Sequence, residues 1–366
     1  DPPPSQRNPA GAVIHTDTRG LTINARQSLF NRPNDATIEQ SERALEVARA
    51  DLTAAEQDLV VRLAQAYFDV LAAEDVLAAA QAAKKAIAEQ LASARRNFEV
   101  GTATITDQRE AQARFDLATA QELAAENDLR VKRLALDQLV GKPNVQPNKL
   151  VQPAALPPLA PDTIDPWVER AQGDHPNVRR AALAREIAKL ETDKARAGHL
   201  PTVDLVGSLG PQRQINNDLG GTTSTASIGV QLAVPLYSGH ATQNRIKETL
   251  ALEEKALNDW SNARRTLAQA ARATFLGVQS GQAQVKALEA AEGSSRLALE
   301  ATQTGYRVGV RVNVDVLNAQ TQLFQTQRDL AIARYNVLLG TLRLKQAAGQ
   351  VSVADLAALD GLLIRR

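Results

Sequence analysis

The sequence predicts a mainly helical α+β protein in which short amphipathic strands of the outer-membrane β-barrel type are continued by long antiparallel coiled-coil helices. Three observations predict this class. The first is an internal two-fold repeat: Val100–Lys142 aligns without a gap onto Val308–Gln350, with ten identities in 43 positions. The second is a run from Ala36 to Glu99 that contains neither proline nor glycine, far longer than a globular domain uses for one helix. The third is a set of short segments in which apolar and polar residues alternate with period 2, the mark of a strand with one apolar face.

Composition agrees. The chain of 366 residues is rich in alanine and only 3% aromatic, which is poor material for a wide globular core but suits close packing of long helices. A net charge of +1 gives no electrostatic footprint for nucleic acid. Basic pairs such as Lys84-Lys85, Arg95-Arg96 and Arg264-Arg265 read most simply as solvated helix faces. The absence of cysteine removes disulfides, thiolate metal sites and cysteine nucleophiles, and fits an oxidising compartment. No run of 18 apolar residues is present, so no transmembrane helix is expected. The chain opens on Asp1 and three prolines rather than methionine, so a signal peptide is not visible.

In chain order, residues 1–20 read as irregular. Leu21, Ile23, Ala25 and Leu29 then alternate with Thr22, Asn24, Arg26 and Ser28 as a strand. Pro33 and Asp35 signal a helix start, and Leu45, Leu52 and Leu59 recur every seven residues along the helix that follows. Val100–Asp107 interrupts it with a glycine and β-branched residues, and a return helix spans 108–140. Each copy of this interruption reads as a helical hairpin tip: Gly101 and Gly309 supply the backbone a helix end needs, and Asp107 and Asp315 cap the next helix. Six prolines make 143–161 a non-helical connector. Helix resumes over 163–197 with a break near Gly173–Pro176. Val203, Leu205 and Leu209 mark a second strand, Gly210–Ser224 an exposed polar loop, and Ile228, Val230, Leu232 and Val234 a third strand. A helix over 241–307, the second tip and a return helix with Leu323, Leu330, Val337 and Leu344 at seven-residue spacing complete the pattern.

The two halves share one plan of strand, turn, very long helix, tip and return helix. The second half carries an additional helix and strand (163–209) whose counterparts would precede residue 1, so the full subunit is expected to hold an N-terminal helix and strand not seen here, and four strands in all. Strands so separated cannot seal a sheet within one chain. Lipid offers no hydrogen bonds to an open edge, so closure calls for symmetry mates and a ring.

The tips carry a specific resemblance. Val100–Asp107, Gly305–Gln320, Gly198–Leu205, Val234–Gly239 and Ala333–Leu339 together resemble the TolC family of outer-membrane channels, in the family's order and spacing over residues 20–360, and within it the branch serving type I secretion. The resemblance implies a homotrimer in which a twelve-strand barrel in outer-membrane lipid continues as an α-helical barrel, or tunnel, across the periplasm of a Gram-negative bacterium. The parts would be 1–31 as the first visible barrel strand and loop, 32–142 as the first hairpin and 143–162 as an equatorial linker. They continue with 163–199 as a tunnel helix, 200–237 as a barrel strand pair with an extracellular loop, 238–350 as the second hairpin and 351–366 as an equatorial tail. The tips would dock a periplasmic adaptor and an inner-membrane ABC or proton-driven transporter. By the same resemblance a periplasmic gate falls on Thr106, Asp107, Tyr306 and Arg311, and a pore-lining acid ring on Asp315 and Asn318, of which only Asp315 is acidic here.

No catalytic constellation, cofactor loop or metal-ligand spacing is visible. His15, His175, His199 and His240 are scattered, and Gly220-Gly221 has no phosphate-loop context. An enzyme is therefore not expected, nor a cofactor or a nucleic-acid partner. The competing expectation is a periplasmic adaptor or structural coiled-coil protein without a barrel, although one hairpin rather than two would then be expected.

Overall fold

The computed structural model describes residues 16–151, 156–216, 219–361 and 364. Its elements run β1 (Thr16–Gly20), β2 (Ile23–Phe30), α1 (Arg32–Glu99), α2 (Ile105–Val140), α3 (Asp165–Gly173), α4 (Pro176–Ala197), β3 (Thr202–Asn216), β4 (Leu219–Ala233), α5 (Ala241–Arg307), α6 (Asn313–Ala347) and α7 (Val353–Asp360). The chain divides into two compact units, one built from residues up to Ala48 with Ala181–Trp260, the other from Arg49–Arg180 with Ser261–Arg366.

The first unit is organised by an antiparallel sheet with β3 at its centre. β1 and β2 lie end to end along one side of β3, and β4 pairs along the other. Between β1 and β2 the chain passes so near Gly210 that a Cβ there would lie 2.2 Å from the Leu21 carbonyl oxygen, which is why only glycine fits. Register separates the faces. Ile23, Leu209 and Ala226 share a row, as do Ala25, Gly207 and Ile228, and Gln27, Leu205 and Val230. On the opposite face lie Asn24, Ser208 and Ser227, then Ser28, Asp204 and Gln231. That polar face is knitted by Arg26 donating to Asp204 and by Ser208 against Ser227 at 2.8 Å. The apolar face is bare: Ile228, Val230 and Leu232 are 82%, 66% and 63% exposed.

Two expectations need correction here. Residues 16–20 form β1 instead of irregular chain, and most of Gly210–Ser224 belongs to β3 and β4 instead of a loop. Both were hidden because neither face of this outer part is apolar. Threonine, serine, glutamine and glycine satisfy the backbone ladder without leaving a hydrophobic alternation to read. The tip of that hairpin lies outside the described residues, as do residues 1–15 with His15, and 152–155 of the connector.

α1 starts at Arg32, earlier than Pro33 and Asp35 alone suggest, because Asn31 caps it. Its Oδ1 accepts from the Asn34 N–H at 3.1 Å, and its carbonyl accepts from Asn34 and Asp35. In the same unit Glu191 of α4 gathers Arg245 of α5 at 2.7 Å and Gln40 of α1 at 2.9 Å. These donors hold its carboxyl below the usual range.

The second unit is a helical bundle in which α1 and α6 share the central seam. Val60, Val61, Ala64, Phe68 and Leu71 of α1 pack with Tyr335, Leu338, Leu339 and Leu342 of α6. Leu129 and Leu136 bring α2 onto α1, while Val285 brings α5 onto α6. The heptad of α6 is buried throughout, from Leu323 at 7% exposure to Leu344 at 0%. Tyr335 donates to Asp75 at 2.7 Å across the seam. Burial pushes the Asp75 carboxyl up and the Tyr335 hydroxyl well up, so the proton stays on the tyrosine.

The connectors are tied down. Asp137 near the end of α2 accepts from the Asn144 and Val145 N–H groups at 2.8 and 2.9 Å, and Tyr67 donates to the Asn148 carbonyl at 3.0 Å. The C-terminal tail contains a helix, α7, which carries Leu356 and Leu359 onto the Tyr335 cluster and is pinned by Lys345–Asp355 at 2.6 Å. His175 fills the break between α3 and α4. Its Nδ1 accepts from the Asn177 N–H at 3.0 Å, capping α4. Gly349 lies so close that a Cβ on it would sit 2.7 Å from the His175 Cα.

Candidate functional site

Both helix tips belong to the second unit, and their backbones are copies. In the first, the Gly101 N–H bonds the Phe98 carbonyl at 3.0 Å, and the Thr102 N–H bonds that of Asn97 at 2.8 Å. In the second, Gly309 bonds Tyr306 at 3.1 Å and Val310 bonds Gly305 at 2.9 Å. This is the paired bond of a Schellman cap, which needs a left-handed residue. Gly101 and Gly309 supply it at φ of 78° and 80°.

Side chains then separate the two tips. Thr104 caps α2 in a reciprocal box, its hydroxyl accepting from the Asp107 N–H at 3.2 Å while the Asp107 carboxylate accepts from the Thr104 N–H at 2.9 Å. The equivalent of Thr104 is Val312, which has no side-chain cap to offer. Asp315, the equivalent of Asp107, instead faces Arg311, with Nη1 to Oδ2 at 3.5 Å. Arg311 also folds back over its own tip: a Cβ on Gly305 would lie 2.8 Å from the Arg311 Cγ.

Of the residues singled out from sequence, the structure joins Arg311 with Asp315 and leaves Thr106 exposed at the first turn of α2. Tyr306 accepts through its hydroxyl from Asn97 Nδ2 at 3.1 Å, linking the second tip to the first. Asn318 accepts from Arg114 at 3.0 Å, linking α6 to α2. Within one chain, then, Tyr306 and Asn318 bond to Asn97 and Arg114, two residues that the sequence did not mark.

Sequence reasoning also missed a buried amide cluster behind the second tip. Asn313 opens α6 at 3% exposure, and its Oδ1 accepts from Gln90 of α1. Among the described residues its Nδ2 finds no partner, and neither does the Oε1 of the buried Gln320, seven residues on. Leu91, next to Gln90 in sequence, and Leu317, one turn beyond Asn313, belong to the apolar packing of α1, α2 and α6. A signal did exist: Asn313 occupies the position of Ile105 in the first copy, a polar residue where the other copy has an apolar one.

Among the described residues no group of histidine and carboxylate side chains could hold a metal ion. No helix among the described residues is long and apolar enough to cross a membrane.

Comparison with known proteins gives the family. The sequence model described as "Outer membrane efflux protein" matches residues 5–142 and 167–350, one segment for each half of the repeat. The outer membrane protein TolC of Vibrio cholerae is 32% identical over 348 residues, covering 94% of this chain and 80% of that protein. The alkaline protease secretion protein AprF of Pseudomonas aeruginosa is 33% identical over 305 residues, covering 82% of this chain and 63% of that one. Among solved structures, the outer membrane protein VceC of Vibrio cholerae superposes with a TM-score of 0.78 at 17% identity, covering 92% of this chain and 87% of that one. That likeness supports the fold alone. A channel family also sets aside the adaptor alternative. With a duplicated hairpin plan, a sheet bare on its apolar face and a family match over both halves, the chain belongs to the TolC-like outer membrane efflux proteins and is a channel of the outer membrane, not an enzyme.

Proposed function

We propose that the protein is the exit duct of a tripartite export system of the type I secretion class, working as a homotrimer. A barrel made from three copies of the sheet sits in outer-membrane lipid, and the helices form a tunnel through the periplasm. A periplasmic adaptor and an inner-membrane transporter open it at the helix tips. The observation that carries this reading is the sheet itself, whose apolar face exposes Ile23, Leu209, Ile228, Val230 and Leu232 while its outer edges pair with no further strand among the described residues. Lipid on that face and further copies at the edges answer both features. The heptad of α1 adds support: Leu45, Leu52 and Leu59 are 54%, 60% and 47% exposed, an apolar stripe of the kind a neighbouring helix covers. The secretion class rests on relatives whose names describe protease secretion.

The gate in this reading is Thr106, Asp107, Tyr306 and Arg311, with Asp315 and Asn318 lining the pore. Arg311 presents a planar fork that carboxylate and hydroxyl groups on a neighbouring hairpin can accept from. Each exposed link of this sort is worth about 0–1 kcal/mol, so several hold the tip shut yet release it when a partner docks. Planar-bilayer recording tests the assignment. Arg311→Ser should raise single-channel conductance over the wild-type channel, and an unchanged conductance would remove Arg311 from the gate.

A further inference from the structure

On the apolar face of the sheet, the hydrophobic rows end abruptly in two arginines. Register shows this directly. The row Ile23–Leu209–Ala226 is followed by Leu21 beside Pro211, where the Leu21 N–H donates to the Pro211 carbonyl at 3.1 Å. The next row on the same face is Arg19–Arg213–Thr222, and beyond it come Asp17, Ile215 and Gly220. The pairing of β3 with β4 has no register shift, so the alternation carries Arg213 to the same face as Leu205 and Leu209.

Arg19 and Arg213 are direct cross-strand partners. In an antiparallel pair such residues have Cβ atoms about 4.5–5.5 Å apart, and like charges there repel. Asp17 answers only one of them, accepting from Arg19 Nε at 3.2 Å and Nη2 at 3.1 Å. Arg213 has no carboxylate partner among the described residues. The Arg19 side chain is 79% exposed, so its remaining donors are accessible. Two planar forks and the Thr222 hydroxyl therefore converge on one row with a surplus positive charge. They do so where the apolar band stops, at the end of the sheet opposite the starts of α1 and α5.

We propose that Arg19 and Arg213 form a site for the phosphate of an anionic glycolipid in the outer leaflet. The site rests on the barrel reading given above. Guanidinium forks match phosphate oxygens in pairs, and a phosphate between the two arginines cancels the repulsion that the strand pairing imposes. The apolar rows below, Leu21 with Pro211 and Ile23 with Leu209, take the acyl chains of the same molecule. The occupant is thus a lipid headgroup, with free phosphate as the competing source of the same chemistry.

The test uses the full chain in detergent with three probes: bisphosphorylated lipid A, its dephosphorylated form, and inorganic phosphate. Binding is read by native mass spectrometry and by the shift in unfolding temperature. Bisphosphorylated lipid A should stay bound and raise the unfolding temperature, with the other two giving little shift. Arg19→Gln and Arg213→Gln should each weaken binding about tenfold, the loss of one charge-assisted pair, and the double variant should abolish the shift. Equal binding by the double variant, or by the dephosphorylated lipid, overturns the site. A shift produced by inorganic phosphate alone overturns the lipid assignment. Planar-bilayer recordings of the wild type and double variant, in lipid free of phosphorylated glycolipid, keep the two readings apart. Absence of channels from the wild type refutes the barrel. Channels from both proteins without arginine-dependent binding refute only the lipid site, and show that the double variant is folded.

Discussion

The two helix tips are built on one backbone and finished with different side chains. Both use a glycine near φ 80° and the same pair of cap bonds. Yet Asp107 caps its own helix, whereas Asp315, freed from that duty because Val312 replaces Thr104, holds Arg311. A duplicated element can thus keep its fold while one copy releases a charged pair for another task. The change that releases it, Thr to Val, lies three residues from the charge. A second difference lies behind the tips, where Asn313 brings an unsatisfied amide into the seam and its equivalent Ile105 is exposed.

The largest effect expected from breaking this asymmetry comes from that seam. Asn313→Leu should stabilise the protein by about 1–3 kcal/mol, because a buried donor without a partner costs that much. Gln90 is only partly buried and can turn toward water. Chemical denaturation measures the gain, and a loss of stability would mean that the amide is satisfied in the assembled channel.

Next come the glycines, where the copies should behave alike. Nothing lies within 4 Å of a Cβ placed on Gly101 or Gly309, so alanine meets no clash and pays only for the left-handed backbone, about 1–2 kcal/mol. Equal losses for Gly101→Ala and Gly309→Ala in thermal melts confirm a shared cap, and unequal losses break the likeness. Caps should then separate the copies again. Thr104→Ala should cost about 1 kcal/mol, while Val312→Ala, which removes no hydrogen bond, should cost less by the same assay.

The smallest effect concerns the far end of the repeat. Gly141 closes α2 in open space, while Gly349 packs on the buried His175. Burial holds the His175 imidazole below its ordinary pKa, so the unfolded chain binds its proton more readily than the folded one. The stability it contributes is therefore full above the ordinary histidine value and falls as pH drops through it toward the folded value. Thermal melts below that ordinary value should show a decline with acid that His175→Asn, a neutral capping side chain, reduces.

Much of this was legible without coordinates. Helix positions follow from period and from glycine, asparagine and aspartate at their ends, all of which act within a few residues. The same holds for the tips, for the break at Asp174-His175, and for the alternating strands from Leu21 to Leu29 and from Ile228 to Val234. Asp107 as a capping residue was also readable, since Thr104 stands three positions before it. The polar strand segments at 16–20 and 210–224 were not, because a strand with no apolar face differs little from a loop until its partner is known.

By itself, then, the sequence determined the helical hairpins, their repeat and the apolar strand faces, since local hydrogen bonding and side-chain period govern these. Only the tertiary structure decided which side chains meet across long separations: Gln90 with Asn313, Asn97 with Tyr306, Arg114 with Asn318, and Arg19 beside Arg213. The physical reason is register. Shifting a strand by one residue moves every side chain to the other face, and rotating a helix changes which amide enters the seam. Register of this kind is set by packing along the whole length of an element, not by the residues at any one position.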